Sequence, residues 1–333
     1  MTSPSDLARY SAYTRGIERH EATDRAAWLM LRRLDVTASA AGALLGIHEY
    51  VTPFALWHDK RGSGPAAEPD EPEIDADQIT LSPLARGTML EPVALDLLER
   101  LRPSWRVEAA RHYFRDPVAR IGATPDAFAI DPDRAGFGVI QIKSVGEWAA
   151  RKWRDADTGD MEPPLWIAVQ AIVEATLTGA SWAAVAALRT GGALSLRLID
   201  IPLHERTIAR LREEIAAFWR RVETGEEYPP DYGRDAALIA RLHADDDGSE
   251  IDLSGDERVA EIVALRAALT VRESDGRTAK KARAPLDAEL THRIGNASKA
   301  RLPHGLILTC TTVRRREHTV KASQHTKIAI KPA

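Results

Sequence analysis

Apolar positions recur at helical spacing in EATDRAAWLMLRRL (21–34), and DVTASAAGALLG (35–46) then offers a Thr/Ser-rich helix start followed by small residues. TPFALWHDKRG reads as a further helix with Thr52 as its N-cap and Pro53 at the first helical position. Residues 62–80 are rich in Gly, Pro and acidic side chains and predict a flexible loop. The next helix, LARGTMLEPVALDLLERL, carries an apolar stripe at Leu90, Ala94, Leu97, Leu98 and Leu101. A strand-rich section over 105–144 ends in a hairpin whose arms are AFAI and GVIQIKS, joined by the polar DPDRAGF. PPLWIAVQAIVEATLTG then predicts a helix closed by Gly179, followed by strands WAAVAALRT and LSLRLIDI. TIARLREEIAAFWRRVETG is amphipathic, with Ile208, Leu211, Ile215, Phe218 and Val222 on one face.

PPDYG marks the end of a first domain, residues 1–232, whose N-terminal part (1–61) is helical. Residues 233–333 predict a smaller α+β accessory domain: an acidic stretch, a helix near 256–272, more helix to about 300, and the β-like runs LILTCTTV and HTVKAS. The fold class that follows is α/β, a mixed central sheet flanked by helices, with this second domain attached.

Composition narrows the function classes. A hydrophobic fraction of 44% with 28% charged residues describes a globular protein, and no apolar run reaches bilayer length. The first residues lack the apolar stretch of a secretory signal, so the expected location is cytoplasmic, with no membrane partner. One cysteine, Cys310, leaves no internal disulfide and no thiolate zinc cluster. The net charge of −4 hides an asymmetry: residues 271–333 hold 14 Lys/Arg against 5 Asp/Glu, a net of +9, which leaves −13 on residues 1–270. The basic region, including the run Arg314–Arg316, is either a polyanion-binding surface or simply a solvated one.

The informative chemistry lies in Asp116-Pro-Val-Ala-Arg-Ile-Gly-Ala-Thr124-Pro125-Asp126 and, across the hairpin, Gln141-Ile142-Lys143. Side chains alternate along a strand, so Gln141 and Lys143 share a face and Ile142 points the other way. A hairpin arm can bring Asp126 beside them. A carboxylate, an amide oxygen and an ammonium then converge. Mg²⁺ takes oxygen ligands and keeps several waters, so two protein oxygens with phosphate and water can complete its shell. Lys143 can orient or help deprotonate a water and offset phosphate charge.

This arrangement resembles the PD-(D/E)XK nuclease signature. Trp28-Leu-Met-Leu-Arg32, Val36-Thr37-Ala38-Ser39 and Ala43-Leu44-Leu45-Gly46 resemble the opening of YqaJ-type phage recombinases, relatives of the lambda exonuclease. Gly87-Thr-Met-Leu90-Glu91-Pro92 resembles their second motif, Ala123-Thr124-Pro125-Asp126 their third, and Trp166-Ile-Ala-Val-Gln170 their aromatic-Gln helix. The ordered likeness covers about residues 25–225.

The resemblance implies a restriction-endonuclease-like core and a Mg²⁺-dependent DNA exonuclease (Mn²⁺ substituting), working 5′→3′ on double-stranded ends in recombination. It further implies a single-strand annealing protein as partner and a ring-shaped homotrimer. By position, Asp126 is the principal metal ligand, the Ile142 carbonyl adds an oxygen, and Glu91 and Asp116 support the metals. Arg32, Thr37, Ser39 and Thr124 correspond to the pocket for a terminal 5′-phosphate, a reasonable use of hydroxyls, free amides and a guanidinium fork. Gln170 braces the site. One departure is Gln141, where the family carries Glu or Asp: an amide ligates Mg²⁺ without contributing charge. Two alternatives therefore stay open, an endonuclease of the same fold and a non-catalytic DNA-binding relative. The residues also have ordinary readings: Asp126 and Asp116 as turn residues, Glu91 as a helix-start charge, Thr37 and Ser39 as caps, Gln170 as an interhelical bond, Lys143 as a solvent-reaching strand end.

Overall fold

The structure is a computed structural model that describes residues 16–21, 24–63, 73–74, 79–154, 158–272, 277–314 and 324–332. Most of the predicted loop 62–80, the run HTVKAS, and Arg315 and Arg316 lie outside the described residues. The chain divides into two compact units, Met1–Val51 with Ala67–Glu226, and Thr52–Ala66 with Glu227–Ala333.

In chain order the first unit starts with β1 (Glu18–Glu21), α1 (Arg25–Leu34), β2 (Val36–Thr37) and the four-residue α2 (Ala38–Ala41). Asp24 caps α1 by accepting from the Ala26 N–H. Helix α3 (Pro53–Arg61) groups with the second unit. It has the start its sequence predicts, with Thr52 accepting from the Ala55 N–H at 2.9 Å and Pro53 opening it, and Gly62, placed in the loop by its sequence, closes it at φ 66°. A short pair, β3 (Glu73–Ile74) and β4 (Ile79–Thr80), precedes α4 (Pro83–Leu101), capped by Ser82. There follow β5 (Arg106–Ala109), β6 (His112–Asp116), β7 (Ile121–Ala123), β8 (Ala127–Ile130), β9 (Gly138–Val145), α5 (Leu165–Thr178), β10 (Trp182–Gly191), β11 (Ala193–Ile201) and α6 (Glu205–Thr224).

Two mixed sheets result. One has the order β1-β6-β7-β2, parallel only at β7–β2, and the other β11-β10-β9-β8-β5, parallel only at β9–β10. A parallel pair needs a long crossover, and α5 supplies it between β9 and β10. This is the α/β arrangement expected of a PD-(D/E)XK core, a mixed sheet flanked by helices.

Side-chain alternation sorts the five-stranded sheet into two cores. Ala127, Ala129, Ile140, Ile142, Ala184, Ala186 and Leu188 pack on Ala94 and Leu98 of α4. Val145, Ala183, Val185 and Ala187 face Ile167, Ala171, Ile172 and Ala175 of α5. Strand β10 is thus buried on both faces, which is why it reads as an unbroken apolar run. Gln141 and Lys143 fall in register on the α5 side of β9.

Close approach of α2 to α5 depends on Gly42, where an added Cβ would lie 2.8 Å from the Trp166 Cβ. Gly42→Ala is therefore expected to destabilise the protein by about 1–3 kcal/mol, an overpacking cost, with a lower chemical-denaturation midpoint. A midpoint equal to the wild type's would show that the 37–46 segment moves aside freely.

The second unit adds α7 (Ala236–Leu242), β12 (Glu250–Asp252), α8 (Glu257–Arg272), α9 (Arg277–Ile294), β13 (Lys299–Leu302), β14 (Leu306–Arg314) and β15 (Gln324–Pro332). Its sheet runs β12-β13-β14-β15, over a core including Val259, Ile262, Leu290, Ile294, Leu302 and Leu308. Thr52 donates to Asp235 at 2.6 Å, tying α3 to the start of α7. Among the described residues no helix is long and apolar enough to cross a membrane.

Candidate active site

The site forms where β8 leaves the sheet. Ala127 pairs with Ile140, so one step back along the chain places Asp126 opposite Gln141. Pro125 precedes it, and β8 continues no further in that direction. The next N–H on β9, that of Ile142, is taken by a side chain instead: it donates to Asp126 Oδ2 at 2.6 Å. Gln141 Nε2 donates to the same oxygen and, at 3.3 Å, to the Ile142 carbonyl. Both bonds to Asp126 fall on Oδ2, so Oδ1 is the oxygen left to face a ligand.

Gln141 is buried, and its orientation differs from that of an amide ligand. Its Oε1 accepts from Gln170 Nε2 at 2.8 Å, while its nitrogen faces Asp126. Gln170 Nε2 also donates to Glu174 Oε1 at 2.9 Å, one helical turn along α5. Lys143 lies on the same face of β9, its Nζ 5.8 Å from the centroid of the Trp166 ring. Glu91 sits in the middle of the 19-residue helix α4, so it is not a helix-start charge.

Electrostatics unite these groups. Burial, with Asp126 as like-charged neighbour, pushes Glu91 up to about 7, Lys143 acting in the opposite sense. Burial raises Asp126 to about 6 against the pull of Lys143 and of the bonds from Ile142 and Gln141. Glu174 lies well above the usual carboxylate range, from burial first and the Asp126 charge second. Carboxylates so placed hold protons more tightly in the folded state than in the unfolded one. Their stabilising contribution is complete below about pH 4 and lost as pH rises through 6–7. With EDTA present, the melting temperature should fall by about 5 °C between pH 5 and pH 8 relative to Asp126→Asn, which lacks one of these protons. Parallel pH profiles for the two proteins would contradict this.

The residues expected to bind a terminal phosphate form one connected group. Arg32 Nη2 donates to Ser39 Oγ at 3.3 Å, Ser39 Oγ lies 3.1 Å from Thr37 Oγ1, and the Arg32 guanidinium stacks 4.4 Å from the Trp28 ring centroid. Trp28 Nε1 in turn donates to Thr124 Oγ1 at 2.9 Å, two residues before Asp126. Thr37 stands at the N-cap position of α2, as its sequence allows, but makes no side-chain capping bond. His48 braces this segment: its Nδ1 accepts from the Tyr50 and Val51 N–H groups, and its Nε2 donates to the Ser39 carbonyl. The His48 ring also lies 4.5 Å from Trp166.

Asp116 is not brought to this cluster. It ends β6 at the turn of the β6–β7 hairpin, where its Oδ1 accepts from the Val118 and Ala119 N–H groups and its Oδ2 lies 3.7 Å from Arg212. The tryptophans after Lys143 separate: Trp153 enters the core, whereas Trp148 is exposed beneath Arg151. Lys152 pairs with Glu49.

Sequence reasoning missed Glu174. Its signal was available: a lone carboxylate in an otherwise apolar helix, four residues after Gln170 and hence on the same face.

Residues 27–181 match the family model of the YqaJ-like viral recombinase domain. Uncharacterized protein YqaJ of Bacillus subtilis (strain 168) is 24% identical over 142 residues, covering 42% of this chain and 40% of that protein. The chain thus spans about two fifths of the length of the curated relative it matches. An alkaline exonuclease (LHK-Exo) from Laribacter hongkongensis has a TM-score of 0.43 at 21% identity, over 60% of this chain and 93% of its own. The protein of a SOX–DNA complex has a TM-score of 0.36 at 12% identity, over 60% and 67%.

Proposed function

Taking the match of residues 27–181 to the YqaJ-like viral recombinase domain as premise, we propose that the protein is a divalent-metal-dependent DNA nuclease. It hydrolyses phosphodiester bonds from double-stranded ends, with 5′→3′ polarity, in recombination of the phage type. A single-strand annealing protein and further copies of the chain are its expected partners.

The observation that carries this reading is the placement of Asp126. Two donors hold one carboxylate oxygen, the other is left for a ligand, Lys143 acts on Asp126 electrostatically, and Asp126 in turn acts on Glu91. The donor set is all oxygen, which suits Mg²⁺ or Mn²⁺. Among the described residues no three His, Cys, Asp or Glu side chains form a ready-made metal cage. Mg²⁺ does not require one, because it keeps waters and shares phosphate oxygens. Asp126, Glu91 and the Ile142 carbonyl would hold the cation. When bound, it supplies Lewis-acid polarisation of the phosphate and lowers the proton affinity of water.

The chain's own groups do the rest. Asp126 fixes the cation's place relative to β9. Lys143 brings a mobile positive charge to the attacked phosphate and a donor to orient water. The Arg32–Ser39–Thr37 group, tied to Thr124 through Trp28, grips a terminal phosphate and so sets where along the strand cleavage falls.

Purified protein incubated with Mg²⁺ or Mn²⁺ and linear, nicked or closed circular DNA tests the proposal. Linear DNA should be degraded and closed circles spared. Cleavage of closed circles would replace exonuclease by endonuclease. Binding without cleavage of any form would leave only a DNA-binding role.

A further inference from the structure

We propose that Glu174 is a positioning residue of the cation site: through Gln170 it fixes the Gln141 amide on Asp126, and by releasing its proton to solvent when a cation binds it supplies the negative charge that position 141 lacks. The inference rests on the cation-site reading above.

Glu174 is fully buried, and along α5 its neighbours Ile167, Ala171, Ile172, Val173, Ala175 and Leu177 are buried apolar residues. A carboxylate is costly there unless something compensates it. Its Oε1 accepts one bond from Gln170, while its Oε2 is buried with no hydrogen-bond partner, as is Gln170 Oε1. Buried acceptors are normally satisfied. Two buried oxygens of one relay, one of them on a carboxyl group, are thus left without donors among the described residues.

The relay also has a direction. Gln170 Nε2 bridges Glu174 Oε1 and Gln141 Oε1, so the Gln141 nitrogen is the end that faces Asp126. Turning Gln170 over would set its oxygen against both the Glu174 carboxylate and the Gln141 oxygen. Glu174 therefore fixes, across two amides, which end of the Gln141 side chain faces Asp126. The arrangement moves a carboxylate from the strand, where Gln141 stands, to the helix that covers it.

The test is Mn²⁺ titration by calorimetry, without DNA, on wild type, Glu174→Gln, Gln141→Glu and the double variant. Glutamine keeps the size of Glu174 and its bond to Gln170, so a purely structural role predicts unchanged Mn²⁺ affinity. The proposal predicts weakening by about tenfold or more in Glu174→Gln, with a metal-free melting temperature no lower than wild type. Adding Gln141→Glu to Glu174→Gln should return affinity to near wild type, because the charge reappears on the strand. Wild-type affinity in Glu174→Gln overturns the proposal, as does failure of the double variant to recover. If Glu174→Gln fails to fold, Glu174→Asp, which keeps the charge, should bind Mn²⁺ near the wild-type level, and a loss beyond about tenfold overturns the idea. Absence of Mn²⁺ binding by the wild type is a different result: it removes the cation site itself, and the inference with it.

Discussion

Asp126→Ala and Lys143→Ala each lower divalent-dependent DNA cleavage by roughly a thousandfold or more, while the melting temperature stays within a few degrees of wild type. The size of the effect follows from where the two groups lie. Asp126 is the side chain on which both hydrogen bonds at the end of β8 converge, and its second oxygen is the strongest candidate for a cation ligand. Removing it takes away the ligand and leaves the Ile142 N–H and the Gln141 amide with water. Lys143 is set one alternation further along β9, on the same face as Gln141, and its charge acts on Asp126, Glu91 and Glu174 together. Its loss removes a cation from among three carboxylates and from the phosphate. The fold should survive, because both core layers lie elsewhere on the strands. Activity within about tenfold of wild type in either variant would place the chemistry somewhere else on the chain.

Arg32→Ala slows digestion of 5′-phosphorylated ends by about ten- to a hundredfold, the worth of one or two charge-assisted bonds, and slows 5′-hydroxyl ends far less. The asymmetry is the point. Arg32 stacks on Trp28 and bonds to Ser39 Oγ, which itself lies 3.1 Å from Thr37 Oγ1. A guanidinium beside two hydroxyls is a donor set suited to a terminal phosphate. Single-turnover digestion of matched duplexes that differ only in the 5′ group reads the difference. Equal slowing of both substrates would make Arg32 a general contact to the DNA backbone.

Much of this site was legible in the sequence because local rules decide it. Strand alternation puts Gln141 and Lys143 on one face, and the short DPDRAGF connection forces AFAI to pair with GVIQIKS, which carries Asp126 to Gln141. The caps at Thr52 and Gly179 were equally plain. What escaped was set by long-range packing. Nothing local says that the Gln141 amide turns its nitrogen to Asp126, since the choice is made by Gln170 and Glu174, some thirty residues on. Asp116 is the converse: its place in the motif order suggested the cluster, but the turn it closes with Val118 and Ala119 keeps it at the far end of β7. The grouping of α3 with residues 227–333 likewise depends on tertiary partners such as Asp235, which no helical periodicity reveals.

The hairpin of β8 and β9 has its chemistry at one end and its polar connection, residues 131–137, at the other. At about 3.3 Å per residue, the four residues of β8 set roughly 13 Å between them. Within the connection, Arg134 is held by a two-bond pair to Asp200 of β11 and stacks on Trp182. Lengthening or rewriting it changes an outer rim without moving Asp126 relative to Lys143. Such a hairpin separates surface contacts, and so what docks beside them, from the Asp126–Lys143 cluster at its other end.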